Sequence, residues 1–597
     1  MSTTVALISD CRQPGHYVAF DSADIIREWP TPGSLHLPGL FSLHVQHTPQ
    51  KTMFSVPRDP SNILAGFREI SYSVANNAVN HLISWLQRSI LPACSPPNGS
   101  PTVIAYTGPK DVRYPLLALA CAKLEIALLL PSPEFVIAAQ AHLVRTTSCT
   151  AFLYGSSGLL ANAYAVADST LDLKLNVIEA PELDVILSPE LAPNFTWDKP
   201  MDEVRDQAWI IVHTSGTTGL PKPIRYTHYY MLGFQLGDIM PEVKGGEGLG
   251  ESVVKGGRWY SPIPTLHMVG LSLSLSFPIL FSGVAVFGPP QPTTTSDQIV
   301  QTLQYGKCQA IAAVPLHIDA LARDPKGLEV LRKLDVVAFA GAPLSRPTAE
   351  KLTPHTRVIS LIGSTEAGKY NLRYANNEED WEYHTFYPSN GFVLERISSP
   401  TTTAMPENGN KDEELFELVI KRDPGLDRWQ QIFWVYPHLQ EFRTGDLWVR
   451  HPSGRDAWKV VGRTDDLIIF AHGTKMNAAM VEGTFRQCEG VSGVVVGGKG
   501  RERPFLLVEW ESASVADEEK MRILEIWIDR VNKGCAEMAK FRKELVVFAN
   551  MDKKLVRNVK GGVARKASEM IYAKEIEELY HRKLGPTVLD CNAKSTT

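Results

Sequence analysis

Continuous apolar segments bounded by turn residues alternate with longer helical patterns through most of the first 460 residues, and no other feature constrains the fold as much. Examples are TVIAYTG at 102–108, WIIVHTSG at 209–216, AIAAVP at 310–315 and VVAFAGAP at 336–343. A strand apolar on both faces must be covered on both, and an intervening helix returns the chain for parallel pairing. Parallel-rich sheets flanked by helices are therefore expected. The pattern changes after about residue 465, where VSGVVVGG, FLLVEW, a long helix predicted near 518–540 and ELVVFA make a compact α+β unit. The expected organisation is a large α/β N-terminal domain over 1–464, a small mobile α+β C-terminal domain over 465–580 and a linker or tail over 581–597. Segments 244–257, rich in glycine, and 398–413, rich in Thr, Pro and Asn, read as mobile inserts.

Composition narrows the function classes. With 597 residues, 44% of them hydrophobic, the chain has ample apolar residue for a large core. A net charge of −5 argues against a general nucleic-acid or anionic-membrane binder. The eight cysteines are scattered with no CxxC pair, which argues against a disulfide framework or structural zinc and fits a reducing, cytoplasmic compartment. The N-terminus, MSTTVALISD, lacks the basic stretch and apolar run of a signal peptide. Segment 269–288 is uncharged and long enough to span a bilayer. It carries Ser272, Ser274, Ser276 and Ser282, and Pro278 and Gly283 divide it, so a buried helix, a break and then the strand GVAVFG is expected, with no membrane span.

The most informative stretch is WIIVHTSGTTGLPK at 209–222. Strand residues run into Thr214, Ser215, Gly216, Thr217, Thr218 and Gly219, with Lys222 just beyond. Glycines let backbone amides approach a polyphosphate, hydroxyls donate further hydrogen bonds and the lysine adds a cation. The spacing is not GxxxxGKS/T, so the P-loop NTPase reading fails.

At this point the chain resembles the adenylate-forming superfamily of acyl-CoA synthetases, luciferases and nonribosomal peptide synthetase adenylation domains. The resemblance runs over nearly the whole chain in the family's order. ACAKLEIALLLPSP at 120–133 is similar to an early family segment, PTLHMVG at 264–270 to the "PxxHxxG" of acyl and aryl members, and AGAPLS at 340–345 to the adenine-side loop. GSTEAG at 363–368 resembles "YGxTE", with Ile362 in place of the usual tyrosine. FRTGDL at 442–447 and GRTDD at 462–466 resemble the ribose and hinge motifs.

The resemblance implies a reaction and a set of roles. An anionic carboxylate must attack the α-phosphate of ATP, so the site needs cations and Mg²⁺. The phosphate loop and Lys222 hold the polyphosphate, and Gly341, Ala342 and Pro343 flank the adenine. Gly363, Ser364 and Thr365 face phosphate, Glu366 holds Mg²⁺ directly or through water, Asp446 accepts the ribose hydroxyls, and Arg463 bonds ribose or phosphate. Asp465 is the hinge between an adenylating and a thiol-accepting orientation.

The C-terminal lysine departs from the usual Gly-Lys pair. In VRNVKGGVARKAS at 556–568 lysine precedes glycine, which makes Lys560 the catalytic lysine and leaves Lys566 as the alternative. This order is similar to the ending of fungal synthetase-like adenylation domains, which are followed by a carrier and then a reductase or thioesterase domain. His267, Met268, Phe339, Ala340, Gly341 and Ile362 are expected to wall the acyl pocket, His267 by packing or as a catalytic group. Amino-acid-activating relatives carry an aspartate where Met268 stands here. Without it an α-ammonium would be buried unpaired, so an aryl or other acid lacking a free α-amine is expected. The implied acceptor is the phosphopantetheine thiol of a carrier domain, in cis in a full-length protein; a stand-alone acyl-CoA ligase and a non-catalytic nucleotide-binding module are the alternatives.

Overall fold

The computed structural model describes residues 34–93, 101–214, 220–233, 257–291, 294–374, 379–387, 390–397, 402–403, 414–427, 429–557 and 562–584. Both expected inserts lie largely outside these residues, as does the tail after Leu584.

The apolar segments form two parallel-rich sheets, as the alternation predicts. In the first, the strand order is Asn176–Glu179, Ala151–Tyr154, Val103–Thr107, Ala127–Leu129, Ala208–Thr214 and Lys222–Thr227. All neighbours are parallel except the last two strands, which form an antiparallel hairpin. The second runs Arg357–Leu361, Val336–Ala340, Ala310–Ala313, Arg258–Tyr260, Val284–Val286, Thr52–Pro57 and Phe67–Ser71, antiparallel only at its final pair.

Local chemistry fixes the covering helices. Tyr72–Ser89 starts where the Ser71 side chain caps the Val74 amide, and Ser296–Tyr305 starts at a capping box of Thr295 and Gln298. Helix Arg113–Lys123 is buried along its whole length, and the Trp209 indole donates to its Ala118 carbonyl at 2.7 Å. A helix apolar on all sides belongs in such an interior.

The structure adds a third sheet to these expectations and refines two of them. Residues 372–463 contribute a third sheet, of order Leu372–Tyr374, His384–Phe386, Trp458–Arg463, Glu441–Arg450, Phe416–Lys421 and Phe392–Arg396, which is antiparallel throughout. Glu441–Arg450 and Trp458–Arg463 are joined by a short reversal at 451–457, so there the chain turns back rather than crossing over. In 269–288, Pro278 does not break the helix. Met268–Leu271, a π-helical Ser272–Ser276 and Phe277–Phe281 run on without a gap, and the π turn accommodates the proline's missing donor. The chain turns instead at Ser282, φ 56°, before the strand Val284–Val286. No described helix is long and apolar enough to cross a membrane. The helix expected near 518–540 is Asp517–Asn532; the Asn532 side chain exchanges two hydrogen bonds with the Phe541 backbone and ends it.

Beyond the third sheet, Val491–Gly497, Phe505–Trp510 and Val546–Phe548 form a small mixed sheet covered by Ala478–Phe485 and Asp517–Asn532, with its own core around Phe485, Val494, Leu506 and Leu524.

Burial pushes His44 and His213 down to about 4, and His228 and His384 down to about 3, from an ordinary value near 6.5. Each ring is neutral when folded and takes up a proton on unfolding at intermediate pH. Their stabilisation is therefore complete above about pH 6.5 and is lost as pH falls toward 4. The thermal midpoint should fall steadily from pH 7 to pH 5, less steeply in His384→Leu, whose parent ring has no hydrogen-bond partner among the described residues. A midpoint independent of pH over that range contradicts this account.

Candidate active site

The short hairpin Gly363–Ser364 and Gly368–Lys369 carries Thr365 and Glu366 at its tip. The Ser364 hydroxyl accepts the Ala367 amide at 3.0 Å and closes the turn. Gly368 needs its φ of +75°, and a Cβ there would fall 2.5 Å from the Gln431 amide oxygen. Sequence and sterics agree on glycine.

The hairpin connects the other predicted groups. On one side, the hydroxyls of Tyr226 and Tyr230 donate to the Thr365 carbonyl at 2.8 and 3.0 Å. Tyr226 lies on Lys222–Thr227, the strand that follows the predicted phosphate loop, and Thr214 pairs with Lys222 across it. Lys222 is exposed there. Ser215, Gly216, Thr217, Thr218 and Gly219 lie outside the described residues.

On the other side, Tyr370 follows the hairpin, and its hydroxyl donates to Asp446 Oδ2 at 2.8 Å. Arg463 Nη1 donates to Asp446 Oδ1 at 2.9 Å, and Asp446 and Arg463 are direct cross-strand partners. Gly445, at φ +74°, sits inside the strand Glu441–Arg450 at a register shift just before this pair, and a Cβ there would meet Arg463 Nη2 at 3.0 Å. Burial raises the Asp446 carboxyl above its ordinary value, against the opposing pull of Arg463 and the Tyr370 hydroxyl. The guanidinium of Arg463 is also raised; burial opposes the charged form, but Asp446 and Asp465 together outweigh it. A carboxylate has about four lone-pair sites, so two remain on Asp446 for hydroxyl donors.

A cavity of about 130 Å³ opens against the hairpin. Gly363, Ser364, Thr365 and Lys369 form one rim; Trp259, Ile263, Leu273, Phe277 and Phe281 are among its apolar walls. Of the predicted pocket residues, His267, Met268, Ala340, Gly341 and Ile362 line it. Phe339 does not. Strand side chains alternate between faces, and Phe339 turns into the opposite core, against the Trp381 ring at 5.9 Å. Gly341, at φ +91°, Ala342 and Pro343 form an exposed loop beside the cavity.

His213 and Tyr370 were not singled out in the sequence. His213 is 6% exposed on the cavity wall, near Phe135 at 4.7 Å and His267 at 6.4 Å. Its place immediately before the phosphate loop was the available signal. Nothing in the sequence marks Tyr370 except its distance from the Thr-Glu pair. Among the described residues no group of three or more His, Cys, Asp or Glu side chains forms a metal site. Glu366 supplies a single carboxylate, which suits an ion that completes its shell with phosphate oxygens and water.

Asp465 lies in the turn Thr464–Asp466, between the third sheet and Leu467–Ile469. Its carboxylate accepts a hydrogen bond from Arg463 Nε at 3.2 Å, while Asp466 caps the Arg463 amide at 3.1 Å. Arg565 bridges Asp466 and Glu482 at 2.6 and 2.8 Å, which anchors one end of the segment carrying Lys560. Lys560 itself lies outside the described residues, and Lys566 is exposed.

With this geometry in view, family comparison is decisive. Residues 41–396 match the AMP-binding enzyme family, and residues 465–584 match the C-terminal domain of AMP-binding enzymes. The chain belongs to the AMP-binding enzymes. It is an adenylate-forming enzyme whose curated relatives include fungal proteins. The enzyme is 26% identical over 546 residues to a carboxylic acid reductase of Neurospora crassa, covering 89% of this chain and 49% of that protein. It is 25% identical to the adenylate-forming reductase Nps11 of Serpula lacrymans, covering 92% and 50%, and 26% identical to the isocyanide synthase-NRPS hybrid crmA of Aspergillus fumigatus, covering 90% and 33%. The enzyme thus spans half or less of the length of these relatives. Its fold is similar to that of the anthranilate CoA ligase AuaEII in complex with anthranoyl-AMP, with a TM-score of 0.66 at 15% identity over 91% of this chain and 99% of that one. ATP-bound MatB from Rhodopseudomonas palustris gives 0.64 at 17%, over 91% and 100%.

Replacing Asp446 with asparagine keeps the shape and removes a charged acceptor. A hydrogen bond to a charged group contributes about 1.5–3 kcal/mol, so Asp446→Asn should raise the KM for ATP by roughly 10- to 100-fold with little change in the KM for the acid. Equal loss of affinity for both substrates contradicts the assignment of Asp446 to the nucleotide.

Proposed function

We propose that the enzyme activates a carboxylic acid lacking a free α-amine, an aryl acid first, to an acyl-AMP with release of pyrophosphate from ATP. The observation that carries this reading is the cavity itself. Met268 lines it, and no Asp or Glu is among the described lining residues, so an α-ammonium would enter without a counter-charge. An apolar cavity of about 150 Å³ holds benzene in another protein, and the cavity here, about 130 Å³ with an open rim, matches one aromatic ring.

In this reading residues 1–464 bind both substrates, residues 465–580 move about Asp465, and residues 581–597 are a linker. Asp446 and Arg463 hold the ribose, and Gly341, Ala342 and Pro343 border the adenine. The loop from Thr214 to Gly219, with Lys222, Gly363, Ser364 and Thr365, holds the polyphosphate. Glu366 is the protein ligand for Mg²⁺, whose charge would neutralise phosphate oxygens as the carboxylate approaches. Lys560 brings a cation to the carboxylate and α-phosphate, and His267 packs beside the acid. The work is electrostatic positioning with no covalent protein intermediate. The ATP- and adenylate-bound states of the similar folds support the nucleotide assignment.

The acyl group then passes to the phosphopantetheine thiol of a carrier domain. Support comes from the curated relatives, which include a synthetase hybrid and reductases at least twice as long as the matched region. A tethered thiol reacts at high effective concentration, so affinity for free coenzyme A is not required.

ATP–pyrophosphate exchange with a panel of acids tests the reading. Single-ring aryl acids should support exchange, and their α-amino analogues should be poor. Exchange with ordinary L-amino acids alone would overturn it. Lys560→Ala should lower acyl-AMP formation by orders of magnitude and spare thioester formation from supplied acyl-AMP, whereas the same result from Lys566→Ala alone moves the lysine. Saturable thioester formation with coenzyme A, and none with a phosphopantetheinylated carrier in trans, would identify a stand-alone ligase.

A further inference from the structure

Two buried hydroxyls converge on one carbonyl at the tip of the site. Tyr226 and Tyr230 are 0% and 4% exposed, and their rings stack with centroids 4.1 Å apart and planes 13° from parallel. Both hydroxyls donate to the Thr365 carbonyl, at 2.8 and 3.0 Å. A carbonyl oxygen offers two lone pairs, so this acceptor is saturated. Turning the Thr365–Glu366 peptide would take this acceptor from both hydroxyls in an interior where lost hydrogen bonds are costly; Tyr230 also reaches the Glu366 carbonyl at 3.5 Å, which belongs to the same turn. Burial holds both phenols well above their ordinary range, so both remain donors at any working pH.

The tyrosines are themselves fixed. Tyr226 is set by its place on Lys222–Thr227, where it pairs with Ile210. The Tyr230 amide donates to Thr227 Oγ1 at 3.1 Å, and its carbonyl accepts Gln431 Nε2 at 2.8 Å. Gln431 fills the space beside two glycines; a Cβ on Gly233 would fall 2.0 Å from it and one on Gly368 2.5 Å. A single packed unit thus joins the strand bearing Lys222, the turn bearing Thr365 and Glu366, and the glutamine behind them.

We propose that Tyr226 and Tyr230 are positioning residues for adenylation: by fixing the Thr365–Glu366 peptide they aim the Thr365 hydroxyl and Glu366 carboxylate at the polyphosphate and hold that turn in register with Lys222. The proposal rests on the adenylating function set out above. It differs from simple core packing, because the acceptor is the backbone of the two residues that face the nucleotide, and removing the hydroxyls leaves the stacked rings in place.

The experiment compares wild type with Tyr226→Phe, Tyr230→Phe and the double variant in the full chain. Pyrophosphate exchange is measured against Mg²⁺ at saturating ATP with the best acid of the panel, together with the KM for that acid. Thioester formation from supplied acyl-AMP and the thermal midpoint are measured in parallel. Misplacing a catalytic group by about 1 Å costs about 100-fold, so the double variant should lose roughly 10- to 100-fold in exchange rate, with smaller losses in the single variants. The Mg²⁺ concentration for half-maximal exchange should rise about 10-fold, while the acid KM and the thiol step stay within about twofold. Unchanged exchange and Mg²⁺ dependence overturn the proposal. So does an equal loss of both half-reactions with a lowered midpoint, which marks the hydroxyls as packing alone. If the double variant does not fold, the single variants decide by the same criteria. Wild-type enzyme that exchanges pyrophosphate with no acid would instead sink the function on which the proposal rests.

Discussion

The hairpin at 363–369 is the constraint from which the rest of the site follows. Its turn takes the Tyr226 and Tyr230 hydroxyls from the phosphate-loop side, and Tyr370, one residue beyond it, donates to Asp446 in the third sheet. The Tyr370 amide also bonds the Ile362 carbonyl at 2.9 Å, closing the hairpin's base. Three sheets thereby contribute to one crevice through buried tyrosine hydroxyls rather than exposed ion pairs. Exposed pairs contribute little and are screened by salt, whereas a buried donor that loses its acceptor has no water to replace it. The groups proposed to meet ATP are therefore set before it arrives.

The small lobe meets the large one through a parallel pairing of Thr402–Thr403 with Lys475 and Met476 and a buried hydrogen bond from Asn477 Nδ2 to the Val461 carbonyl at 3.0 Å. Arg323 and Glu511, at 3.4 Å, link it to the large lobe, and both side chains are more than half exposed. The partly buried contacts of Arg565 with Asp466 and Glu482 lie beside the Thr464–Asp466 turn. The bonds beside the Thr464–Asp466 turn are thus partly buried, whereas the Arg323–Glu511 pair is exposed and screened by salt. Arg463 sits at the junction, bound to Asp446 on one side and Asp465 on the other.

Much of the fold was legible in the sequence, for a physical reason. Strands such as Ala310–Ala313 and Val336–Ala340 are buried on both faces and leave unbroken apolar runs. The third sheet leaves no such trace; Glu441–Arg450 mixes charged, glycine and apolar residues, and its ladder is set by partners far along the chain. The continuous helix through Pro278 was hidden because a π turn is not visible in periodicity. In the site, the Thr-Glu motif is encoded locally, in a hairpin whose turn requires Gly368, whereas Ser215 to Gly219 lie outside the described residues. Phe339 was misassigned because adjacent strand residues face opposite ways, and which face meets the cavity depends on tertiary packing. His213 and Tyr370 enter the site through packing against distant elements.

The central claim is that one continuous site runs from Asp446, past the Thr365 turn, into the Met268 cavity. A crystal structure of the chain with a non-hydrolysable aroyl-sulfamoyl adenosine tests it most directly. The account predicts ribose hydroxyls on Asp446, the sulfamoyl group beside Thr365, and the ring between Trp259, Met268 and Phe277. An adenosine seated away from Asp446, or an aromatic ring outside this cavity, would contradict it.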